Sequence, residues 1–178
     1  MNTWLRNSLL LIIVGALSVG SAYYFSKGSA PKLAYVDNTR LFSEFTLKKE
    51  LEMKLKKTKD ARQAIVDSLE FGLKFLSKQI QSEKEKDKDK ITLFQVKRED
   101  YIQKKKQFEE DNEALAKQYD SQIISQMNQY VKDFGNKNGY AYIFGADGSG
   151  FLMFSAEQNN ITNEVEVYIN GRYKGNAE

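Results

Sequence analysis

The chain has no cysteine and no histidine, so the side chains that most often act as nucleophile, general base or zinc ligand are missing. An enzyme built on this sequence would have to use carboxylates, lysines, serines or tyrosines, and no convergent set of these is implied. The link from Gly145 to Gly150 lacks the Gly-Lys-Ser/Thr of a phosphate-binding loop. We therefore expect a protein that is not an enzyme and needs no metal or cofactor.

Two phenylalanines, Phe71 and Phe75, have the clearest binding chemistry. They lie four positions apart and two positions from Leu69 and Leu73 of an apolar stripe, which places them roughly 200° around a helix at ~100° per residue. Phenylalanines that face away from a stripe need a partner. Either a neighbouring subunit or a widened helix contact covers them, or they form an exposed patch that binds an unfolded client protein.

A basic cluster precedes this pair. Between Lys48 and Arg62, seven basic residues stand against three acidic ones, a local excess of +4. Such an excess can attract acidic clients, although a solvated helix face is also typical of the pattern. The net charge of +3 is too weak a bias to indicate nucleic acid. The candidate client-binding lysines are Lys48, Lys49, Lys54 and Lys56.

These candidates lie in a long helical stretch. Between Thr46 and Gly135 the chain has no proline and one glycine, and the alternating charges of Glu83 to Lys90 divide it into two apolar blocks. Two long helices that fold back on each other are the economical interpretation. The predicted stripe on the outgoing helix has a mean spacing of 3.67 residues and consists of Leu47, Leu51, Leu55, Thr58, Ala61, Ile65, Leu69, Leu73, Leu76 and Ile80.

The return helix predicts a contact of uneven strength. Its apolar residues nearest the tip are spaced seven apart, and the positions between them, Arg98, Lys105 and Asn112, are polar. A complete coiled-coil seam would have apolar residues there. We therefore expect a thin seam near the tip, a stronger seam near the base, and a mobile tip. The apolar residues are Phe94, Tyr101, Phe108, Leu115, Tyr119, Ile123, Met127, Tyr130 and Phe134.

Short β-like segments flank the helical stretch. They run from Leu33 to Val36 and from Tyr140 to Phe144, so the two ends of the helical hairpin could return to one small sheet. The second segment is also predicted to form a β-hairpin with Phe151 to Phe154. Asp37 is the predicted N-cap of a short helix, and Thr162 the predicted N-cap of a last helix. The expected fold class is α+β, with a small β body and a long antiparallel α-helical hairpin.

The expected division places the body in residues 32–46 and 135–178 and the arm in residues 47–134. A body of this size has few residues for a core, so oligomerisation is expected on burial grounds. The candidate residues for contacts between subunits are Leu33, Tyr35, Tyr142, Phe144, Phe151 and Met153.

The N-terminal part, residues 1–31, contains an uncharged run of seventeen residues from Leu9 to Phe25. It is slightly long for a signal peptide and short for a membrane-spanning helix, so both a cleaved signal and a retained inner-membrane anchor stay open. Under either interpretation the remaining chain lies outside the cytoplasm.

Several weak motifs in a specific order resemble the Skp/OmpH family of periplasmic chaperones. They are Lys32-Leu33-Ala34-Tyr35-Val36-Asp37 followed by Leu41-Phe42, then the hairpin, then Gly145 to Gly150 and Asn160 to Val165. The resemblance covers nearly the whole exported part. It implies a homotrimer in which strands from three chains form the body and three hairpins surround a cavity. Members of the family hold unfolded outer-membrane proteins there without ATP.

Two departures from the family favour a second hypothesis. Typical members are soluble after signal cleavage and markedly basic, whereas this chain has a candidate membrane anchor and only a modest positive charge. The alternative is a membrane-anchored trimeric structural adaptor of an envelope or secretion complex. The expected partners are unfolded outer-membrane proteins, other copies of the chain and the inner membrane through residues 9–25.

Overall fold

The computed structural model describes residues 31–82 and 87–175, together with Trp4 and Ser18. The leader prediction for residues 9–25 falls outside these residues, apart from Ser18. Within the described ranges no helix is both long enough and apolar enough to cross a membrane. The elements in chain order are β1 (Leu33–Asp37), α1 (Asn38–Glu44), α2 (Thr46–Ser82), α3 (Lys88–Asn138), β2 (Tyr142–Ala146), a short 3-10 helix (Glu157–Asn159) and α4 (Thr162–Tyr173).

The body contains a two-stranded parallel sheet. Leu33 of β1 lies opposite Tyr142 of β2, and Asp37 lies opposite Ala146. Parallel strands need a crossover connection, and here the two long helices supply it. The fold is therefore of the predicted α+β class. The division into body and arm residues stays a prediction.

The predicted hairpin between β2 and Phe151 to Phe154 is wrong. In the described chain β2 pairs with β1 alone, and residues 151–154 form no strand. Phe151, Met153 and Phe154 are each at least 86% exposed, so nothing within the described chain covers them. The apolar character of the segment predicted a strand, but the segment has no strand partner in its own chain.

Two helix caps and one hydroxyl contact organise the body. Asp37 is the N-cap of α1, as predicted, because its Oδ1 accepts from the backbone N–H of Arg40 at 2.9 Å. Thr162 is not a cap, since it is the first residue of α4. Its hydroxyl oxygen accepts instead from the backbone N–H of Asp37 at 2.9 Å, which ties the end of β1 to α4. Gly139 ends α3 with a left-handed φ of 70°.

The core lies between the sheet, α1, α4 and the body end of the arm. Its buried residues are Ala34, Val36, Leu41, Phe45, Leu47, Leu51, Ile123, Met127, Phe134, Ile161, Val165 and Ile169. Gly145 marks the closest approach in it. A Cβ atom at Gly145 would lie 2.1 Å from the Asn38 Nδ2, so only glycine fits without a shift of that side chain.

The helices α2 and α3 lie side by side, as predicted, but the predicted stripe is wrong in the middle of α2. Ala61 and Ile65 are exposed, whereas Arg62 is half-buried and Val66 is only 5% exposed. The spacing of the stripe tolerates a step from Thr58 to either residue 61 or residue 62. The prediction placed Ala61 in the seam, but Arg62 lies there instead. The aliphatic part of the long arginine side chain can cover the seam while its charged end reaches a polar partner.

Residues of α4 contact the base of the arm. The Tyr173 hydroxyl donates to the Glu50 Oε2 at 2.6 Å, and its ring meets the ring of Phe45 edge to face at 5.8 Å. Thr46, which follows Phe45 in the chain, donates both its backbone N–H and its hydroxyl to the Asn170 Oδ1, each at 2.8 Å. These contacts connect the first turns of α2 to the end of the chain.

The Tyr173–Glu50 hydrogen bond predicts a pH dependence of stability. This bond, followed by desolvation, raises the pKa of Tyr173 to about 12, above the ordinary value of about 10. Folding therefore favours the neutral phenol, and this contribution is complete below pH ~10 and lost as the pH rises through ~12. The free energy of unfolding in urea should fall over that window in the wild type and fall less in Tyr173→Phe.

Glu50→Gln provides the matched test, because it keeps the tyrosine but removes the carboxylate that accepts the hydrogen bond, so its slope should resemble that of Tyr173→Phe. If the free energy of unfolding falls with pH equally in the wild type and in Tyr173→Phe, the hydrogen bond contributes nothing to stability.

Candidate functional site

One face of the sheet is apolar and exposed. Ala34 of β1 is buried, so its strand neighbours Leu33 and Tyr35 point to the opposite side. The register places Tyr142 and Phe144 beside them, and these two rings stack with centroids 6.0 Å apart. We call Leu33, Tyr35, Tyr142 and Phe144 the outer sheet face. Leu33, Tyr142 and Phe144 are 45%, 61% and 47% exposed. A contiguous exposed apolar patch of this kind is typical of an interaction surface.

Two further features extend this face. The other edge of β1 is occupied, because Ile161 donates its backbone N–H to the Tyr35 carbonyl at 3.0 Å. The outer edge of β2 has no neighbouring strand in the described chain. Phe151 and Met153 follow β2 and are 94% and 91% exposed. An unpaired edge beside exposed apolar residues is a surface suited to strand addition by another chain.

Tyr35 is the one half-buried member of the six predicted subunit-contact residues. Its hydroxyl donates to the Glu157 Oε2 at 3.1 Å. Desolvation and this hydrogen bond raise the pKa of Tyr35. The neutral phenol connects the 3-10 helix to β1 through this hydrogen bond.

The arm carries a second exposed apolar surface. Phe71 and Phe75 are 73% and 57% exposed and lie outside the seam, on the wall of an open groove of ≈ 650 Å³. We call this the distal groove. It runs along the flank of the hairpin, and its walls include Phe71, Leu73, Lys74, Phe75, Lys78 and Phe94. The sequence indicated the two phenylalanines but not Phe94, which was assigned wholly to the seam.

Three of the four candidate lysines have acidic partners. The Nζ of Lys48 lies 2.7 Å from Glu52, that of Lys49 lies 2.6 Å from Glu44, and that of Lys56 lies 2.8 Å from Asp60. The hydrogen bond from Lys49 lowers the pKa of Glu44, and the hydrogen bond to Asp60 raises the pKa of Lys56. Lys54 is exposed and has no ion-pair partner among the described residues. The cluster therefore offers less free positive charge than its sequence indicates.

Arg62 forms a polar contact in the middle of the arm that the sequence did not predict. Its Nη1 donates across the hairpin to the Asn112 Oδ1 at 2.6 Å. Its Nη2 lies 3.7 Å from the Asp111 Oδ2, and the guanidinium is 5.6 Å from the centroid of the Phe108 ring. Asn112, one of the polar residues between the apolar ones of the return helix, could have indicated this contact in the sequence, because a polar residue in the seam needs a hydrogen-bond partner on the facing helix.

The described residues carry two exposed apolar surfaces that suit binding. Within residues 31–82 and 87–175, no group of three or more acidic side chains lies close enough together to hold a metal ion. The two apolar surfaces are the outer sheet face on the body and the distal groove on the arm.

A sequence model of the family described as "Outer membrane protein (OmpH-like)" matches residues 32–167. The chain belongs to the OmpH-like family. The match begins just before β1, includes both long helices and ends inside α4, so it covers both surfaces. The resemblance inferred from the motifs is confirmed. OmpH-like proteins are a chaperone family and not an enzyme family.

The OmpH-like fold is also found among solved structures. A crystal structure of a candidate outer membrane chaperone (OmpH-like) from Caulobacter crescentus CB15 aligns with a TM-score of 0.69. The alignment covers 81% of this chain and 86% of that chain at 14% sequence identity, so the likeness concerns the fold. A comparison with curated proteins finds no match.

The Arg62 contact predicts coupling between the two helices of this OmpH-like arm. In a double-mutant cycle, Arg62→Ala and Asn112→Ala should each destabilise, and their combined effect should fall short of the sum by about 1 kcal/mol, the usual worth of such a hydrogen bond. Urea unfolding followed by circular dichroism gives the free energies. A parallel cycle with Lys105→Ala in place of Asn112→Ala should be additive, because Lys105 is exposed. Additivity in both cycles would contradict a specific cross-hairpin contact.

Proposed function

We propose that this protein is an ATP-independent holdase that binds unfolded outer-membrane proteins in the periplasm, in a cavity between the helical arms of a homotrimer. The observation that carries the proposal is the exposed aromatic pair on the arm. Phe71 lies roughly 36 Å beyond Leu47 along α2 at ~1.5 Å per residue. Aromatic side chains held so far from the body, outside the seam, are placed to contact another polypeptide.

The homotrimer is supported by the exposed surfaces of the body. The outer sheet face and the segment containing Phe151 and Met153 are apolar and exposed, and the outer edge of β2 has no neighbouring strand in the described chain. A strand from a second copy can satisfy the backbone groups of the β2 edge while apolar residues of that copy cover the face. Because the edge and the added segment are different parts of the chain, the contact is head to tail, and a rotation of about 120° between neighbouring copies would close it into a ring of three.

The thin seam of the arm supports a cavity that adapts to its client. Between Leu51 and Leu76, the only buried side chain of α2 is that of Val66, so the two helices hold each other weakly along much of their length. Segments with few buried contacts open at low free-energy cost. Several weak apolar contacts on three arms would retain a client through effective concentration, and release would need no nucleotide.

Electrostatic attraction has a smaller role in this proposal. Lys48, Lys49 and Lys56 are engaged with acidic side chains of their own chain, which leaves Lys54 as the predicted client-binding lysine with a free ammonium group. Family membership favours the periplasm as the location. The alternative, a membrane-anchored adaptor, depends on residues 9–25 and stays a prediction without a supporting observation.

The outer sheet face can be tested through the mass of the assembly. Native mass spectrometry of the wild type should give three copies. Phe144→Glu, which places a charge on the apolar face, should shift the protein to monomers. Val167 of α4 is 74% exposed and lies away from this face, so Val167→Glu should remain trimeric. A monomeric wild type at micromolar concentration would contradict the trimer.

Holdase activity can be tested by diluting a urea-unfolded β-barrel outer-membrane protein into buffer and following light scattering. The full chain, at one trimer per client, should suppress aggregation, and addition of ATP should change nothing. Lysozyme at equal mass provides the control for non-specific crowding. If scattering is the same with the full chain as with lysozyme, the holdase proposal is wrong.

A further inference from the structure

The distal groove continues toward the tip of the arm. A smaller groove of ≈ 160 Å³ shares Ser77, Gln81 and Phe94 with it and adds the apolar side chains of Ile80 and Ile91. From Phe71 to Gln81 the combined groove follows about 15 Å of α2 at ~1.5 Å per residue. An extended peptide rises about 3.3 Å per residue, so four or five residues fit along it. The groove therefore has the length of a short peptide segment.

Three aromatic rings lie on the walls of the groove. Phe71 and Phe75 are contributed by α2 and Phe94 by α3, so the groove has aromatic surface from both helices. Aromatic rings prefer edge-to-face or offset contacts with other rings, which adds selectivity beyond the area that is buried. An aromatic side chain therefore gains more here than an aliphatic side chain of similar size.

The charge along the groove has one sign. The described residues that line it include Lys74 and Lys78 and no acidic side chain. Lys74 is engaged, because its Nζ lies 2.5 Å from the Glu70 Oε1. Lys78 has no ion-pair partner among the described residues. An occupant that brings a carboxylate close to Lys78 would form an ion pair with it, whereas a basic occupant would be repelled.

We propose that the distal groove binds an extended segment of an unfolded polypeptide, with an aromatic side chain against Phe71 and Phe75 and a carboxylate against Lys78. The proposal rests on the holdase function and specifies the class of client segment that the arm selects. Sequence composition close to the aromatic residue, and not apolar character alone, then determines which segments of a client bind.

The test uses the full chain and fluorescein-labelled peptides of about ten residues, close to the length of a membrane-spanning β-strand. The first carries Phe and a Glu three positions later in a Ser/Thr background. The second replaces Phe by Leu, and the third replaces Glu by Lys. Fluorescence anisotropy should show the first binding about fivefold to tenfold more tightly than either of the others.

Two variants separate the two contacts. Phe75→Ala should bind the Phe and Leu peptides equally. Lys78→Glu should prefer the Lys peptide, a reversal that loss of folding cannot produce. Val96 is the matched control, since it is 61% exposed, close to the 57% of Phe75, and is not among the residues that line the groove. Val96→Ala should keep the wild-type order of the three peptides.

Two results would overturn the proposal. One is an unchanged order of the three peptides in both Phe75→Ala and Lys78→Glu. The other is displacement of the Phe–Glu peptide from wild type by phosphatidylglycerol vesicles, which would assign the groove to an anionic membrane surface. If the wild type still suppresses aggregation of the β-barrel protein in either case, the holdase function survives and only the groove assignment fails.

Discussion

The parallel pairing of β1 with β2 is the constraint on which the rest of the fold depends. It brings together Leu33 and Tyr142, which are separated in sequence by both long helices. Closing such a loop costs little more than closing a short one, because the entropic cost rises by only about 0.6 kcal/mol for each doubling of loop length. The contacts of the body can therefore support an arm of 37 and 51 helical residues without a matching increase in the body itself.

Packing is dense at the body and sparse along the arm, where Val66 and Leu76 are the buried residues of α2 beyond Leu51. At the base, Phe45 meets the rings of Tyr130 and Tyr173 edge to face and is fully buried. Halfway along, the seam depends on Val66 and on the polar contact of Arg62 with Asn112. A hydrogen bond is directional, so it fixes the register of the two helices with less burial than an apolar layer would need. The arm is thus aligned in its middle without being rigid.

Local signals in the sequence predicted the parts of the fold that local physics determines. The long helices follow from uninterrupted periodicity, the cap at Asp37 follows from its side-chain chemistry, and the exposed phenylalanines follow from their angle to the stripe. The sequence indicated that the two flanking segments could share one small sheet, and β1 and β2 do pair. Their parallel direction and register could not be predicted, because strands separated by a long crossover share no turn signal. The segment Phe151 to Phe154 was assigned to a hairpin because its apolar residues predict a strand, whereas its own chain gives it no partner.

The two exposed apolar surfaces differ in the rigidity of the elements that carry them. The outer sheet face belongs to a body with a continuous core, so association through it orders few additional side chains and can be lasting. The distal groove belongs to the weakly packed part of the arm. Binding there must also restrict the motion of the helices, which reduces the affinity of each contact. The proposed assembly and the proposed capture of clients therefore use parts of the chain that differ in packing, the well-packed body for the first and the weakly packed arm for the second.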